Sequence, residues 1–292
     1  MGKISLTIKG ALLALFICMT SSHAMAINSD EPIINVAMLH LELKYADLEH
    51  NAELIESGIE LAALKGADWI MTPELSHTGY RFDLKIGTDW ISIGPDKYVK
   101  HIQALAKKHK VTVFLSHLEK EQSKSNKAYP YRIFNTLFVI NESGEIIGRH
   151  KKVNTIPVAE SWSAAGTSAT VVNVDQQKVG LLICADAWPT THVQSLKDQG
   201  ANIILSSASW APGEYGPGET WENRSKESEL PIFVNNRTGI EREFDLTESV
   251  SAVSYKGERL MSHKSPNSQL VLIKWDTKNN RLLNAAAYSI SK

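Results

Sequence analysis

From residue 33 onward, apolar runs of strand length alternate with segments whose apolar residues fall three or four positions apart. Residues 33–41 form the first apolar run. Residues 47–64 carry Leu48, Ala52, Ile55, Ile59 and Ala62 at helical spacing, with a stop signal at Gly66. Residues 67–72 predict a strand that runs directly into Pro73 and Glu74. Residues 96–110 predict a helix with Val99, Ile102, Leu105 and Ala106 on one face, and a strand over 111–118 follows. The middle is richer in strands: 132–141 and 145–150, joined at Ser143-Gly144, then 169–174 and 178–183 around Asp175. Alternation then resumes, with helices over 191–199 and 219–229, strands over 201–206 and 230–235, and two tail strands over 249–255 and 268–275.

Apolar strands alternating with amphipathic helices predict an α/β protein whose sheets are covered by helices. In such folds chemistry collects where strands end and loops begin. No repeat, low-complexity tract or linker breaks the pattern, so residues 27–292 are expected to form a single domain. A formal net charge of −1 carries no signature of a nucleic-acid binder or a membrane-surface protein.

Residues 1–26 follow a different rule. Lys3 and Lys9 precede an apolar run over 11–19, and Ala24-Met-Ala26 has the small-x-small form of a cleavage site. The run is short for a bilayer span. A lipidated Cys18 is disfavoured because Ile17 stands where a small residue is wanted. A cleaved signal peptide is therefore expected, with export to a periplasm or the medium and no membrane attachment afterwards. Cleavage leaves 29 basic and 32 acidic residues, a net charge of −3. It also removes Cys18, so Cys184 becomes the single thiol. A lone cysteine under oxidising conditions is either buried and inert or retained for chemistry.

Three residues at predicted strand ends suffice for acyl transfer. Glu74 follows the strand 67–72, Lys152 closes the strand 145–150, and Cys184 ends the run Val179-Gly-Leu-Leu-Ile-Cys184. A thiol attacks well once a carboxylate base or a cation promotes thiolate formation. The oxyanion then needs donors, which a lysine ammonium and the backbone N–H of Ala185 can supply. The leaving nitrogen needs a proton, which the same carboxylate can return. Blander readings stand beside these: a buried structural cysteine, a capping glutamate, and Lys151 rather than Lys152 in the role. The histidines show no metal-ligand spacing, His77 reads as loop rather than ligand, and no phosphate-binding glycine motif follows a strand, so neither metal nor organic cofactor is expected.

The residues around these three resemble the nitrilase (carbon–nitrogen hydrolase) family. Pro73-Glu74 with Gly79-Tyr80 is similar to its glutamate motif, Gly148-Arg-His-Lys-Lys152 to its lysine motif, and Gly180-Leu-Leu-Ile-Cys-Ala-Asp186 to its cysteine motif. Order and spacing agree, with 78 residues from Glu74 to Lys152 and 32 more to Cys184. Residues 200–210 and 231–239 resemble the family's later strands, so the similarity spans roughly 33–275. It departs at Asn154-Thr155, where the family often has His-Leu, and after the cysteine, where the turn is shorter and Pro189-Thr190 replaces Pro-Glu.

The resemblance implies a four-layer α-β-β-α sandwich, paired as a homodimer or higher homo-oligomer. It implies hydrolysis of a non-peptide carbon–nitrogen bond in a small amide or carbamoyl compound, less readily a nitrile. Cys184 would be the nucleophile, Glu74 the base and acid, and Lys152 the oxyanion partner. Glu160 is a looser match to a second glutamate near the lysine. Asp186, Trp188 and Trp210 are candidates for the pocket wall, with rim packing as the alternative. The competing functions are acyl transfer to an amine and a catalytically silent binding protein on the same fold.

Overall fold

The computed structural model describes residues 1–2, 32–123 and 130–290. The expected signal peptide lies outside these residues apart from Met1 and Gly2. Strand β1 (Ile33–His40) leads to helix α1 (Leu48–Leu64), capped by the Asp47 carboxylate accepting from the His50 N–H at 3.2 Å. Strand β2 (Trp69–Met71), the single turn α2 (Asp83–Ile86) and helix α3 (Lys97–His109) follow. Asp96 caps α3, accepting from the Tyr98 and Val99 N–H groups at 3.0 Å each. Strands β3 (Thr112–Gln122), β4 (Tyr131–Ile140) and β5 (Ile146–Lys151) pair as an antiparallel meander.

The second half begins with β6 (Thr170–Val174) and β7 (Gln177–Ile183), then a 3-10 turn over Cys184–Ala187. Helix α4 (Thr190–Asp198), β8 (Ile203–Ser207), α5 (Thr220–Ser228) and β9 (Ile232–Asn235) continue the alternation. A small hairpin, β10 (Ile240–Glu241) and β11 (Phe244–Asp245), precedes β12 (Ser251–Tyr255), β13 (Glu258–His263), β14 (Gln269–Asp276) and β15 (Arg281–Ser289).

Two large sheets result. One runs β15-β14-β1-β2-β3-β4-β5 and the other β13-β12-β9-β8-β7-β6. The centres β1-β2-β3 and β7-β8-β9 are parallel, because α1, α3, α4 and α5 serve as crossovers between consecutive strands. Alternate strand residues face opposite ways, which produces the layers. Val36, Met38, Trp69, Met71 and Phe114 of the first sheet share a core with Val179, Leu181, Leu205 and Phe233 of the second. Their alternates Ala37, Leu39, Ile70, Val113 and Leu115 pack on Ile55 and Ile59 of α1 and Val99 and Ile102 of α3. Val193 and Leu196 of α4 and Trp221 of α5 cover the second sheet. The architecture is the four-layer α-β-β-α sandwich expected, and each fully buried large apolar side chain contributes about 1.5–3 kcal/mol.

Elements differ from expectation where the apolar pattern fails. β3 runs on to Gln122 through Glu119-Lys120-Glu121, polar residues held in register by β4 (Lys120 opposite Ile133, Gln122 opposite Tyr131). β13 and β15 escape the pattern because they are mostly exposed edge strands; β15 carries three consecutive alanines and no clean alternation. Gly148 has a packing reason. A Cβ there would stand 2.4 Å from Val172 Cγ2, so only glycine lets β5 approach β6.

The two sheets are stitched together at the ends of their central strands. Ser207 Oγ donates to the Thr72 carbonyl at 2.7 Å, and Asn235 Nδ2 donates to the Met71 carbonyl at 2.7 Å. The Glu74 N–H donates to the Ala208 carbonyl at 3.2 Å. These bonds place the end of β2 and the loop after it directly against the ends of β8 and β9.

Candidate active site

Glu74, Lys152, Glu160 and Cys184 all reach this seam, and all are buried. Glu74 extends from β2 through Thr72-Pro73, and the next residue, Leu75, turns the chain with a left-handed φ of 50°. Lys152 follows β5 and donates its backbone N–H to the Asn135 carbonyl at 2.9 Å. Cys184 follows β7 and itself has a left-handed φ of 47°. A non-glycine residue in this region carries strain, which persists only where surrounding contacts enforce it. Here they do.

The enforcing group is Asp186. Its Oδ2 accepts from the Ile183 N–H at 3.0 Å and from His150 Nε2 at 2.9 Å. Its Oδ1 accepts from the Val153 and Asn154 N–H groups at 2.9 and 2.7 Å. Asn154 Nδ2 also donates to the Ala185 carbonyl at 2.7 Å. Asp186 is fully buried beneath the cysteine turn and does not line the cavity, which corrects its expected place in the pocket wall. Burial alone would raise its pKa. The His150 and backbone bonds prevail and hold it below the ordinary value, as the carboxylate.

The ammonium of Lys152 lies between two carboxylates, 2.7 Å from Glu74 Oε1 and 2.7 Å from Glu160 Oε2. Asn135 repeats the bridge, its Nδ2 donating to Glu74 Oε1 at 2.8 Å and to Glu160 Oε1 at 3.0 Å. Glu160 Oε2 also accepts from the Ile156 N–H at 2.9 Å. The other Glu74 oxygen accepts from the Ser209 N–H at 3.0 Å. Lys151, the rival lysine, points elsewhere and pairs with Glu121 at 2.6 Å.

Electrostatics follow from this crowding. Burial disfavours the Lys152 ammonium, but Glu74 and Glu160 outweigh it and raise the pKa well above the ordinary value. Burial pushes the Glu74 carboxyl up, against the pull of Lys152. Burial also drives the Cys184 thiol well above its ordinary value, and the charges on Glu74 and Glu160 add to the shift against Lys152 and the Ser209 N–H. The resting cysteine is therefore a thiol beside a carboxylate, not a stored thiolate.

A cavity of about 420 Å³ opens onto Cys184. Tyr80, Trp188, Trp210, Tyr215 and Phe244 give it aromatic walls, and Ala185 and Ser209 border the thiol. Trp188 meets Trp210 edge-to-face at 5.2 Å, so both tryptophans line the cavity. Trp210 is anchored by its Nε1 donating to the Tyr215 carbonyl at 2.7 Å. Among the described residues no cluster of histidine, cysteine and carboxylates is arranged to hold a metal ion.

The sequence pattern described as "Carbon-nitrogen hydrolase" matches residues 35–268. The chain belongs to the carbon-nitrogen hydrolase family. It is a carbon-nitrogen hydrolase with distant relatives. A Schizosaccharomyces pombe protein described as a "probable nitrilase" is 25% identical over 219 residues, covering 71% of this chain and 75% of that one. Among solved structures, an amidase from Nesterenkonia sp. AN1, bearing the acetamide moiety of fluoroacetamide at its active site cysteine, superposes with a TM-score of 0.69. It is 19% identical, covering 85% of this chain and 92% of that chain. Saccharomyces cerevisiae Nit3, a nitrilase-superfamily member, gives a TM-score of 0.73 at 18% identity, covering 85% and 91%. These two likenesses concern the fold.

Two members of this hydrolase's site carried no signal in the sequence. Asn135 lies mid-strand in β4 and reaches Glu74 only through the pairing of β3 with β4. Ser209 acts through its backbone N–H, which no side-chain pattern reveals.

Proposed function

We propose that the protein hydrolyses a primary amide or carbamoyl compound, less readily a nitrile, through a Cys184 thioester. The observation that supports this most is the chain of buried contacts behind the cavity lining: the Glu74 carboxylate, held by Lys152, Asn135 and the Ser209 N–H, next to a Cys184 thiol that faces the cavity. Two similar proteins, a probable nitrilase and an amidase modified at its active site cysteine, support the reading.

The steps follow from the groups present. As the thiol sulfur bonds to the amide carbon, its proton passes to Glu74. Negative charge then collects on the former carbonyl oxygen. Lys152 spends two N–H groups on Glu74 and Glu160 and keeps a third for this oxygen. Ala185 is the second residue of the 3-10 turn, within its first three N–H groups, so its N–H has no acceptor within that turn and supplies a second donor. Collapse breaks the carbon–nitrogen bond as Glu74 returns its proton to the departing amine. Water then attacks the thioester, losing a proton to Glu74, and the acid leaves as the thiol is reprotonated. Glu160 positions Lys152.

The test is an amide, carbamoyl and nitrile panel, with release of ammonia and mass analysis of the Cys184 peptide. Hydrolysis that disappears in Cys184→Ala, with an acyl adduct accumulating on Cys184 in slow variants, supports the reading. No turnover and no adduct would replace it with the silent binding protein. Formation of N-acyl product when an amine acceptor is added would replace hydrolysis with acyl transfer. Export, proposed from residues 1–26, is checked by N-terminal sequencing of the cell-free or periplasmic protein.

A further inference from the structure

The charged groups around the cavity share one sign. Glu214, Glu243 and Asp245 line it, and no lysine, arginine or histidine does so among the described residues. Lys152, buried behind the lining, is already matched against Glu74 and Glu160, so it offers a remote anionic group of a substrate no net attraction. Glu243 is countered by Arg81 at 2.9 Å and Arg242 at 3.3 Å. Among the described residues Glu214 has no cationic partner. Among the described residues the Asp245 side chain accepts from the Thr247 N–H and hydroxyl alone, at 2.9 and 2.6 Å, bonds that lower its pKa and keep it ionised.

Aromatic faces accompany these carboxylates. Tyr215 is 77% exposed and Trp188 is 41% exposed, both on the cavity wall, with Phe244 between Glu243 and Asp245. Large aromatic side chains left open to water beside carboxylates form a surroundings suited to an organic cation, which gains both Coulomb attraction and contact with ring faces. The hairpin bearing three of these groups is well anchored. Glu241 is tied to Arg237 inside the protein, accepts from the Arg81 N–H at 2.6 Å, and Arg237 in turn donates to the Leu43 carbonyl at 3.0 Å.

We infer that the substrate carries a positive charge away from its scissile amide: an ω-ammonium or guanidinium carboxamide or carbamoyl compound. The inference rests on the proposed thioester chemistry for its orientation, with the amide at Cys184 and the cation at Glu214 and Asp245. It also implies rejection of amides that bear a remote carboxylate.

The experiment compares three isosteric families of increasing chain length: ω-ammonium alkanamides, neutral alkanamides and ω-carboxylate alkanamides. Each is assayed for turnover and, separately, for its ability to slow alkylation of Cys184 by iodoacetamide, read on the Cys184 peptide. At low salt, the best cationic amide should exceed its neutral isostere by about tenfold in kcat/KM or in protection, given one or two screened ion pairs and a ring contact. The carboxylate family should fall below the neutral one. Glu214→Gln should shrink the cationic-to-neutral ratio and Glu214→Lys should invert it toward the carboxylate family; Glu214 is exposed, so neither threatens folding. Equal protection by all three families, or a ratio unmoved by Glu214→Lys, overturns the inference. Absence of turnover with selective protection would instead overturn the hydrolysis while leaving the cation site standing.

Discussion

Lys152 Nζ and Glu74 Oε1 are 2.7 Å apart in a setting where neither side chain touches solvent, and Glu160 holds the ammonium from its other side at the same distance. A single cation thus serves two buried carboxylates. Removing it leaves like charges facing each other without a counter-ion, so one carboxylate must take up a proton. Lys152→Met is expected to lower kcat/KM by at least about 100-fold and to cost about 3–5 kcal/mol of folding stability, the usual penalty for breaking a buried pair. Urea unfolding and steady-state kinetics on the same preparation check both. Unchanged stability would mean that Lys152 is not what holds the two carboxylates.

The thiol and its base respond to mutation in opposite senses. The Glu74 charge is one of the causes that raise the Cys184 pKa. Glu74→Gln should therefore make the thiol more acidic, moving the pH midpoint of iodoacetamide labelling downward. The same change removes the proton acceptor and should cut hydrolysis by about 10²–10⁴-fold. A labelling midpoint that moves up would contradict the charge arrangement described here.

Because burial raises the Glu74 carboxyl above its ordinary value near 4.5, the acid limb of kcat/KM should lie above that value as well. Activity is present where Glu74 is ionised and is lost as the pH falls through the raised pKa. A pH–rate profile on a neutral amide measures it; an acid limb at or below 4.5 would remove Glu74 as the base.

Asp186 joins the turn at Cys184 to the chain after Lys152 through three backbone N–H groups and His150. Asp186→Asn places an NH₂ group where an acceptor is required. At least one buried donor then loses its partner, at about 1–3 kcal/mol. Released from this clamp, the strained φ of Cys184 should relax, so kcat should fall more than KM changes. Kinetics and thermal unfolding of the variant test the two halves separately.

How much of this was legible in the chain depends on where each contact originates. Apolar runs mark the strand ends at Met71 and Ile183, but β5 ends in the polar Gly148-Arg-His-Lys151, so Glu74, Lys152 and Cys184 come together in the sequence only through the family resemblance of their motifs. Lys152 was separable from Lys151 only by register, and β5 turns Lys151 toward Glu121. Asn135 was invisible because its role depends on the Glu74 loop folding over β4, a relationship between residues 61 apart. Asp186 was misplaced for the opposite reason. Its adjacency to the cysteine was plain, but the tight 3-10 turn directs its carboxylate inward rather than toward the cavity. Trp188 and Trp210 were ambiguous in sequence because rings that line a cavity and rings that pack a rim have the same composition; their mutual edge-to-face contact is a property of the fold.

His40 carries a pH dependence of stability that is independent of the reaction. It is buried at the end of β1, its Nδ1 sharing a 2.9 Å hydrogen bond with Ser251 Oγ and its ring edge-to-face with His263 at 5.2 Å. Burial, with His263 adding to it, lowers its pKa from 6.5 to about 4. The native protein therefore keeps His40 neutral across a range where the unfolded chain takes up a proton. Between pH 6.5 and 4 the unfolded state binds more protons, so stability rises with pH in that window and is fully present above it. The shift is worth about 3 kcal/mol, as an order of magnitude. His77, buried and likewise lowered well below its ordinary value, acts in the same direction. Urea midpoints measured from pH 7.5 down to 4.5 should decline, and His40→Gln should flatten part of that decline whatever its effect at neutral pH. A slope that His40→Gln leaves unaltered would assign the loss to His77 and the other acid-sensitive groups instead.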